Sequence, residues 1–380
     1  MRALGAAFIA ACWGVLLAIV VPFGMDVWTY RHVDAAAIVA DLPVAITRDP
    51  GPTADVELTL PAQDGAPEVL VFGESTVGME PELLRMALEP ALTARGLHVQ
   101  ISNYGTSGWT SRSISARVDA VLDAYDQTGR HPSLVLVYSG HNDYTNAFFS
   151  YVTRDLRFQR TVIWLWRLPF RARAYWGVDE GYAWFERGAG ASLGLAAQRA
   201  GLVSLPDDPF PGAKATLTNA WGHNARQIAR RVRESGAAVA FYTPAGNLER
   251  EPYGALKTTT DVWRAGLATT DYAARIRLLV AARDAEIVSP DLRADTQLQD
   301  RVRAMADGDD VVVIDLQRDW ERRQLPFDDS LFVDYLHMSR NGYAELARST
   351  ADTLAAHDAL MARLGGAVAA PALTEPSAGR

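Results

Sequence analysis

The sequence predicts an α/β fold: a three-layer α/β/α sandwich on a mainly parallel five-stranded sheet, preceded by one N-terminal transmembrane helix. Three observations predict it. Short, continuous apolar runs recur along the chain and stop at glycine or polar residues, as strands covered on both faces do. Stretches with apolar residues at helical spacing alternate with them. Residues 3–24 carry no charge.

That charge-free run covers 22 residues, and at ~1.5 Å per residue it spans a ~30 Å hydrocarbon core. A cleavable signal needs an apolar stretch of only ~7–15 residues before a small-residue cleavage site. Here the run is longer and ends in Pro22, Phe23, Gly24 and Met25, so residues 1–25 read as an uncleaved signal-anchor. Ile9-Ala10-Ala11-Cys12 has the look of a lipoprotein box, but twelve residues of the charge-free run follow Cys12. Trp28 and Tyr30 come just after the span, where aromatic rings favour the headgroup level. Arg2 and Arg31 balance across it, so orientation rests on the short N-terminal tail staying inside, with the rest of the chain outside the cytoplasm.

Residues 26–66 hold Pro43, Pro50, Pro52 and Pro61 and read as a juxtamembrane linker, with a short strand at 56–60. A single domain is expected over 67–364. Its strands are predicted at 69–72, 99–104, 134–138, 237–243 and 311–315. Its helices are predicted at 81–95 (Leu83, Leu84, Met86, Leu88, Leu92), 111–125 (Ile114, Val118, Val121, Leu122), 220–235 and 272–283. A last helix is predicted at 340–364, with Ser339 as N-cap. An insert at 147–215 interrupts the alternation. Twelve aromatic residues lie within 148–185, interleaved with six arginines, and read as a packing subdomain, a lid or a surface resting on the membrane interface. The Ala/Pro/Gly-rich tail at 365–380 is expected to be disordered.

Composition narrows the function. With 49% hydrophobic residues the chain can build a core, and with 37 basic against 45 acidic residues its net charge is −8. That sign argues against a nucleic-acid partner. A single cysteine, Cys12, excludes an intrachain disulfide and a cysteine-rich zinc site. No His/Glu helix motif, phosphate loop or dinucleotide fingerprint is present, so no metal and no cofactor are expected.

In a parallel sheet, ligands collect at the carboxyl ends of the strands, so the residues that follow each strand are the informative ones. Gly73-Glu74-Ser75-Thr76 follows the first strand, and Asn103-Tyr104-Gly105-Thr106-Ser107-Gly108 closes the second. Ser139-Gly140-His141-Asn142-Asp143 follows the third, and Asp334-Tyr335-Leu336-His337 precedes the last helix. A serine after a strand is usually a turn residue or a helix cap, and Gly105 reads as a turn glycine at positive φ. Together, however, a hydroxyl, a histidine, a carboxylate and several N–H donors on one rim suffice for acyl transfer. A serine hydroxyl is a weak nucleophile until a base takes its proton, and a carboxylate fixes the tautomer of a histidine base.

These four blocks, in this order, resemble those of the SGNH (GDSL-like) hydrolases: Gly-Asp-Ser, a glycine after the second strand, Gly-x-Asn-Asp and Asp-x-x-His. The first block departs from the family pattern as Gly-Glu-Ser, and Val77 excludes the Gly-x-Ser-x-Gly elbow of ordinary α/β-hydrolases. Residues 138–143 and 243–248 are also similar to stretches of a bacterial membrane-anchored subgroup. The resemblance implies a flavodoxin-like strand arrangement and a serine esterase at a bacterial inner membrane, single-pass, its domain facing the periplasm. It implies Ser75 as nucleophile, His337 as base and Asp334 as the orienting carboxylate. The oxyanion donors would be the N–H groups of Ser75 and Gly108 and the side-chain amide of Asn142. Glu74, His141, Asp143 and Asn247 are candidates to line the pocket. The implied substrates are small acyl (including acetyl) esters or acylated carbohydrates and lipids. Two other readings are an O-acyltransferase acting on cell-envelope polysaccharide and a non-catalytic glycan-binding protein on the same fold.

Overall fold

The structure, a computed structural model, describes residues 13–14, 60–62, 65–144, 212–252, 257–286 and 293–365. The expected anchor (apart from 13–14), the linker strand at 56–59, the insert up to residue 211 and the tail beyond Gly365 lie outside the described residues. Among the described residues, no helix is long and apolar enough to cross a membrane.

Five strands form one sheet: β1 (Glu68–Gly73), β2 (Gln100–Asn103), β3 (Leu134–Tyr138), β4 (Ala238–Tyr242) and β5 (Val311–Ile314). Their order is β2-β1-β3-β4-β5 and every pairing is parallel, as the apolar runs predict. The three inner strands are buried at every position, whereas edge strand β2 is half-buried throughout. The register pairs Val71 with Asn103 and Gly73 with Tyr138, so the segments leaving β1, β2 and β3 emerge together. The strand order reverses at β1, which makes the crevice beside it the expected ligand position.

The helices are α1 (Ser75–Gly78), α2 (Pro81–Thr93), α3 (Ser111–Thr128), α4 (Ala213–Glu234), α5 (Lys257–Ala268), α6 (Tyr272–Asp284), α7 (Thr296–Arg303), α8 (Leu316–Arg322), α9 (Arg340–Ala355) and α10 (Asp358–Arg363). Two compact units divide the chain. Of the described residues, one includes 141–144, 212–220, 248–252, 257–286 and 293–296; the other, which holds the sheet, comprises 60–62, 65–140, 221–247 and 297–365.

In the sheet unit, α2 starts with Pro81, whose missing N–H is an orphan at a helix start anyway. Leu84, Leu88 and Leu92 bury one face of α2, which packs on α9. Met86, counted with that face in the sequence, is exposed instead. Two residues after Leu84, it has turned to the solvent side of the 3.6-residue period. Helix α3 is closed by Gly129 at φ +68° and buries Ile114, Val118, Val121 and Leu122 as expected. Arg231 of α4 joins it to Asp123 and Asp126 at 2.8 Å each. Trp221 of α4 meets Phe241 of β4 edge-on, with ring centroids 6.2 Å apart.

The helix predicted across 340–364 is two helices. Ser339 caps α9 through Gly342 N–H, but His357 is extended and α10 begins with Asp358, an acid suited to a helix start. Helices α1, α5, α7 and α8 were not anticipated. All but α5 are eight residues or fewer, too short for a helical period to declare itself. In the other unit, α5 packs on α6, which Asp271 caps through Ala274 N–H at 2.8 Å. Glu286 and Arg293 form a buried ion pair there.

Asp315 ties β5, α7 and α8 into the sheet. Its carboxylate caps α8 through Arg318 N–H at 3.2 Å and accepts from Thr243 Oγ1 at 3.0 Å and from Arg303 Nε at 2.7 Å. Burial pushes this carboxyl up, but Arg303 and the other donors outweigh it and hold Asp315 below its usual range. Asp315→Ala removes a helix cap and two charge-assisted hydrogen bonds of Arg303, which keeps Asp300 as a partner, so it is expected to cost about 1–3 kcal/mol in urea-unfolding stability.

Candidate active site

β1 ends at Gly73 and the chain turns directly into α1, with Ser75 as its first residue. Glu74 N–H donates to the Tyr138 carbonyl of β3 at 3.2 Å, tying the turn to the neighbouring strand. A four-residue helix closes few of its own hydrogen bonds, leaving carbonyls that need outside donors. Tyr343 of α9 donates its hydroxyl to the Thr76 carbonyl at 2.7 Å. Asn103, at the end of β2, donates Nδ2 to the Val77 carbonyl at 2.7 Å, while its Oδ1 accepts from Gly105 N–H at 2.8 Å. Burial pushes the Tyr343 phenol up to about 12, so it remains a donor at neutral pH.

The segment after β2 crosses α1 at backbone distance. A Cβ on Gly78 would stand 2.6 Å from the carbonyl carbon of Gly105 and from Thr106 N, and a Cβ on Gly105 would stand 2.8 Å from Val77 Cγ2. Gly105 is therefore needed for close approach, and it lies outside the left-handed region expected for it. Gly108 is the glycine that takes positive φ, at +81°.

Asp334 and His337 sit on a hairpin-like loop before α9, closed by Val333 N–H to the His337 carbonyl and Ser339 N–H to the Leu331 carbonyl, both 2.9 Å. Asp334 Oδ1 accepts from the backbone N–H groups of Leu336 and His337 at 2.8 Å each. Its other oxygen lies 2.6 Å from His337 Nδ1, and His337 Nε2 lies 2.8 Å from Ser75 Oγ. With Nδ1–H donating to the carboxylate, Nε2 is left to accept from the serine hydroxyl. The His337 side chain is 24% exposed and that of Asp334 46%, and Ser75 is half-buried. The line from hydroxyl to imidazole to carboxylate thus borders solvent. Burial pushes the Asp334 carboxyl up, but its bonds to His337 and the two backbone N–H groups prevail, holding it below the usual carboxylate range.

The remaining expected residues are buried, apart from the exposed Gly108. His141, Asn142 and Asp143 belong to the other unit, where His141 Nδ1 accepts from Ala294 N–H at 3.0 Å. There Tyr144 lies 2.9 Å from Asp295 Oδ1 and 2.7 Å from Thr218 Oγ1. Glu74 is 1% exposed; Asn247 is fully buried, its amide donating to Asp329 Oδ1 at 2.8 Å. Among the described residues, no group of three or more His, Cys, Asp or Glu side chains could hold a metal ion. Sequence reading assigned no role to Asn103, Tyr343 or Asp329. Only Asn103 carried a signal, as the first residue of its block.

The sequence matches the GDSL-like lipase/acylhydrolase family over residues 71–345, from β1 into α9. The chain belongs to that family. It is therefore a GDSL-like ester hydrolase, and the family match spans both the serine turn and the Asp-x-x-His loop. Among solved structures, this GDSL-like chain is similar to an acetyl xylan esterase (11% identity, 74% of this chain and 97% of that one, TM-score 0.35). It is also similar to a lipase/acylhydrolase from Enterococcus faecalis (17% identity, 75% and 94%, TM-score 0.37) and to a lipase from a goat rumen metagenome (10%, 76% and 97%, TM-score 0.38). No curated protein matches it.

The Asp334 geometry has a measurable consequence. A carboxylate held below its unfolded value stabilises the fold above that value, and the contribution is lost as pH falls through the folded pKa. Asp334→Asn is expected to melt below the parent at neutral pH, with the gap closing in acid; a gap independent of pH would contradict the lowered carboxyl of Asp334.

Proposed function

We propose that Ser75, His337 and Asp334 form the catalytic triad of a serine esterase acting on small acyl esters, acetyl esters included. The observation that carries this reading is the unbroken pair of contacts from Ser75 Oγ to His337 Nε2 and from His337 Nδ1 to Asp334. Ser75 Oγ attacks the ester carbonyl while His337 Nε2 takes its proton. The resulting oxyanion is met by the N–H groups of Ser75 and Gly108. Each such donor is worth about 3 kcal/mol in the transition state. His337 then returns the proton to the leaving alcohol, and the acyl group stays on Ser75. Water attacks the acyl-enzyme as His337 takes its proton; the bond from the acyl carbon to Ser75 Oγ then breaks, His337 returns the proton to Oγ, and the acid departs. Asp334 keeps its charge throughout, fixing the tautomer and stabilising the imidazolium.

Ser75 supports this role as the first residue of α1, where its N–H has no partner within the helix. Its partial exposure leaves the hydroxyl open to a substrate.

The test uses the full chain with p-nitrophenyl acetate and a fluorophosphonate probe. Ser75→Ala and His337→Ala are each expected to lower kcat by about 10³-fold or more, and Ser75→Ala to abolish labelling. Labelling mapped to another residue, or parental turnover in Ser75→Ala, refutes the assignment. With a sugar acceptor present, free acid is the expected acyl product, and an acylated sugar would instead mark the chain as a transferase.

The charge-free run at 3–24 supports a single-pass anchor; the resemblance to a bacterial membrane-anchored subgroup and the short N-terminal tail support an inner membrane with the domain in the periplasm. A C-terminal reporter that works only outside the cytoplasm is expected to be active; a silent reporter with intact expression would reverse the orientation.

A further inference from the structure

The segment after β4, Thr243-Pro244-Ala245-Gly246-Asn247, is buried along its whole length. The sheet unit holds it almost atom by atom. Thr243 Oγ1 donates to Asp315, and the Pro244 carbonyl accepts from Gln299 Nε2 at 2.8 Å. Ala245 N–H donates to the Tyr138 hydroxyl at 3.1 Å, which in turn donates to the Ala245 carbonyl at 3.2 Å. A backbone held this way has little freedom left to move.

The loop that carries Asp334 and His337 is different. Asp329, Ser330 and Val333 are exposed, and several of its hydrogen bonds join residues within the loop, as Asp328 does with Ser330, Leu331 and Phe332. Its outer limb is fastened by Ser339, whose hydroxyl donates to the Ser330 carbonyl at 2.6 Å. Its inner limb meets the rigid segment through Asn247. The backbone N–H of Asn247 donates to the Tyr335 carbonyl at 3.0 Å, and its side-chain amide donates to Asp329 at 2.8 Å. Tyr335 stands between Asp334 and His337, so the first bond grips the short stretch that sets their height. The second has a carboxylate as acceptor, which makes it the stronger kind.

We infer that Asn247 is a positioning residue for the reaction, holding the Asp334–His337 loop at working distance from Ser75 through Tyr335 and Asp329. This rests on the catalytic reading of Ser75, His337 and Asp334. Asn247 does not line the substrate pocket in this account, because it is fully buried and its amide is engaged by Asp329. A misplacement of the base by about 1 Å can cost up to ~10²-fold in rate, so the tether acts on kcat.

The experiment compares Asn247→Ala, Asp329→Ala, the double variant and Asp329→Asn with the parent, all as full chains. Both single alanine variants are expected to lower kcat on p-nitrophenyl acetate, and the rate of fluorophosphonate labelling, by about 10-fold or more with KM within about twofold. The double variant is expected to be no worse than the poorer single one, because both remove the same bond. Asp329→Asn keeps an amide oxygen as acceptor and is expected to recover most of the parental kcat. Asp329 is at the surface, so Asp329→Ala carries the test alone if Asn247→Ala fails to fold. Parental kcat and labelling in Asp329→Ala, or a raised KM at unchanged kcat, overturns the inference while leaving the triad intact. A parent chain that the probe does not label overturns the triad and this inference together.

Discussion

Parallel pairing on both sides of β1 is the constraint on which the rest depends. Because β2 and β3 run in the same direction as β1, all three release their loops at one edge, and β4 and β5 add theirs. Parallel strands need long crossovers, and those crossovers supply the helices that cover both faces. The inner strands consequently lose contact with water, which is why they are apolar at successive positions. Chemistry-bearing residues are left to the strand ends and the segments that follow them, where a polar side chain escapes burial without needing a partner in the core.

A serine at the start of a four-residue helix creates its own difficulty. So short an element leaves carbonyls that must be met from outside, and the sheet unit answers with two side chains from distant parts of the sequence, Asn103 and Tyr343. Tyr343 has a second consequence. It lies on α9, the helix that begins three residues after His337, and its hydroxyl grips the carbonyl of the residue next to Ser75. One helix therefore anchors both the loop bearing the histidine and the turn bearing the serine. Side-chain positions held to a few tenths of an ångström require this kind of support from rigid elements.

Charge follows the same logic of pairing under burial. Asp315 with Arg303, and in the other unit Glu286 with Arg293, leave water only in company. Asp334 differs in purpose. It keeps nearly half its side-chain surface and yet is held ionised by three donors, two of them backbone N–H groups of its own turn. The Asp-x-x-His spacing lets this happen within one loop, since the same carboxylate that orders the turn also faces the imidazole it carries.

The alternation of helices with five parallel strands, and the residues that follow those strands, were readable from the amino acids alone, because continuous apolar runs and loop-end motifs are local signals. The short blocks that hold Ser75, Asp334 and His337 stand out for the same reason, and the structure brings those three side chains within hydrogen-bond distance. The role of Gly105 was not readable in this way, since it depends on the segment of α1 that approaches it; Met86 is exposed because the helical period itself turns it to solvent. Tyr343, Asn103 and Asp329 were silent as well: a tyrosine in an amphipathic helix and an aspartate in a polar loop look ordinary until the partner is known. The 2.8 Å between His337 and Ser75, 262 positions apart along the chain, comes from the folded chain alone, because long-range packing sets that distance and no local pattern encodes it.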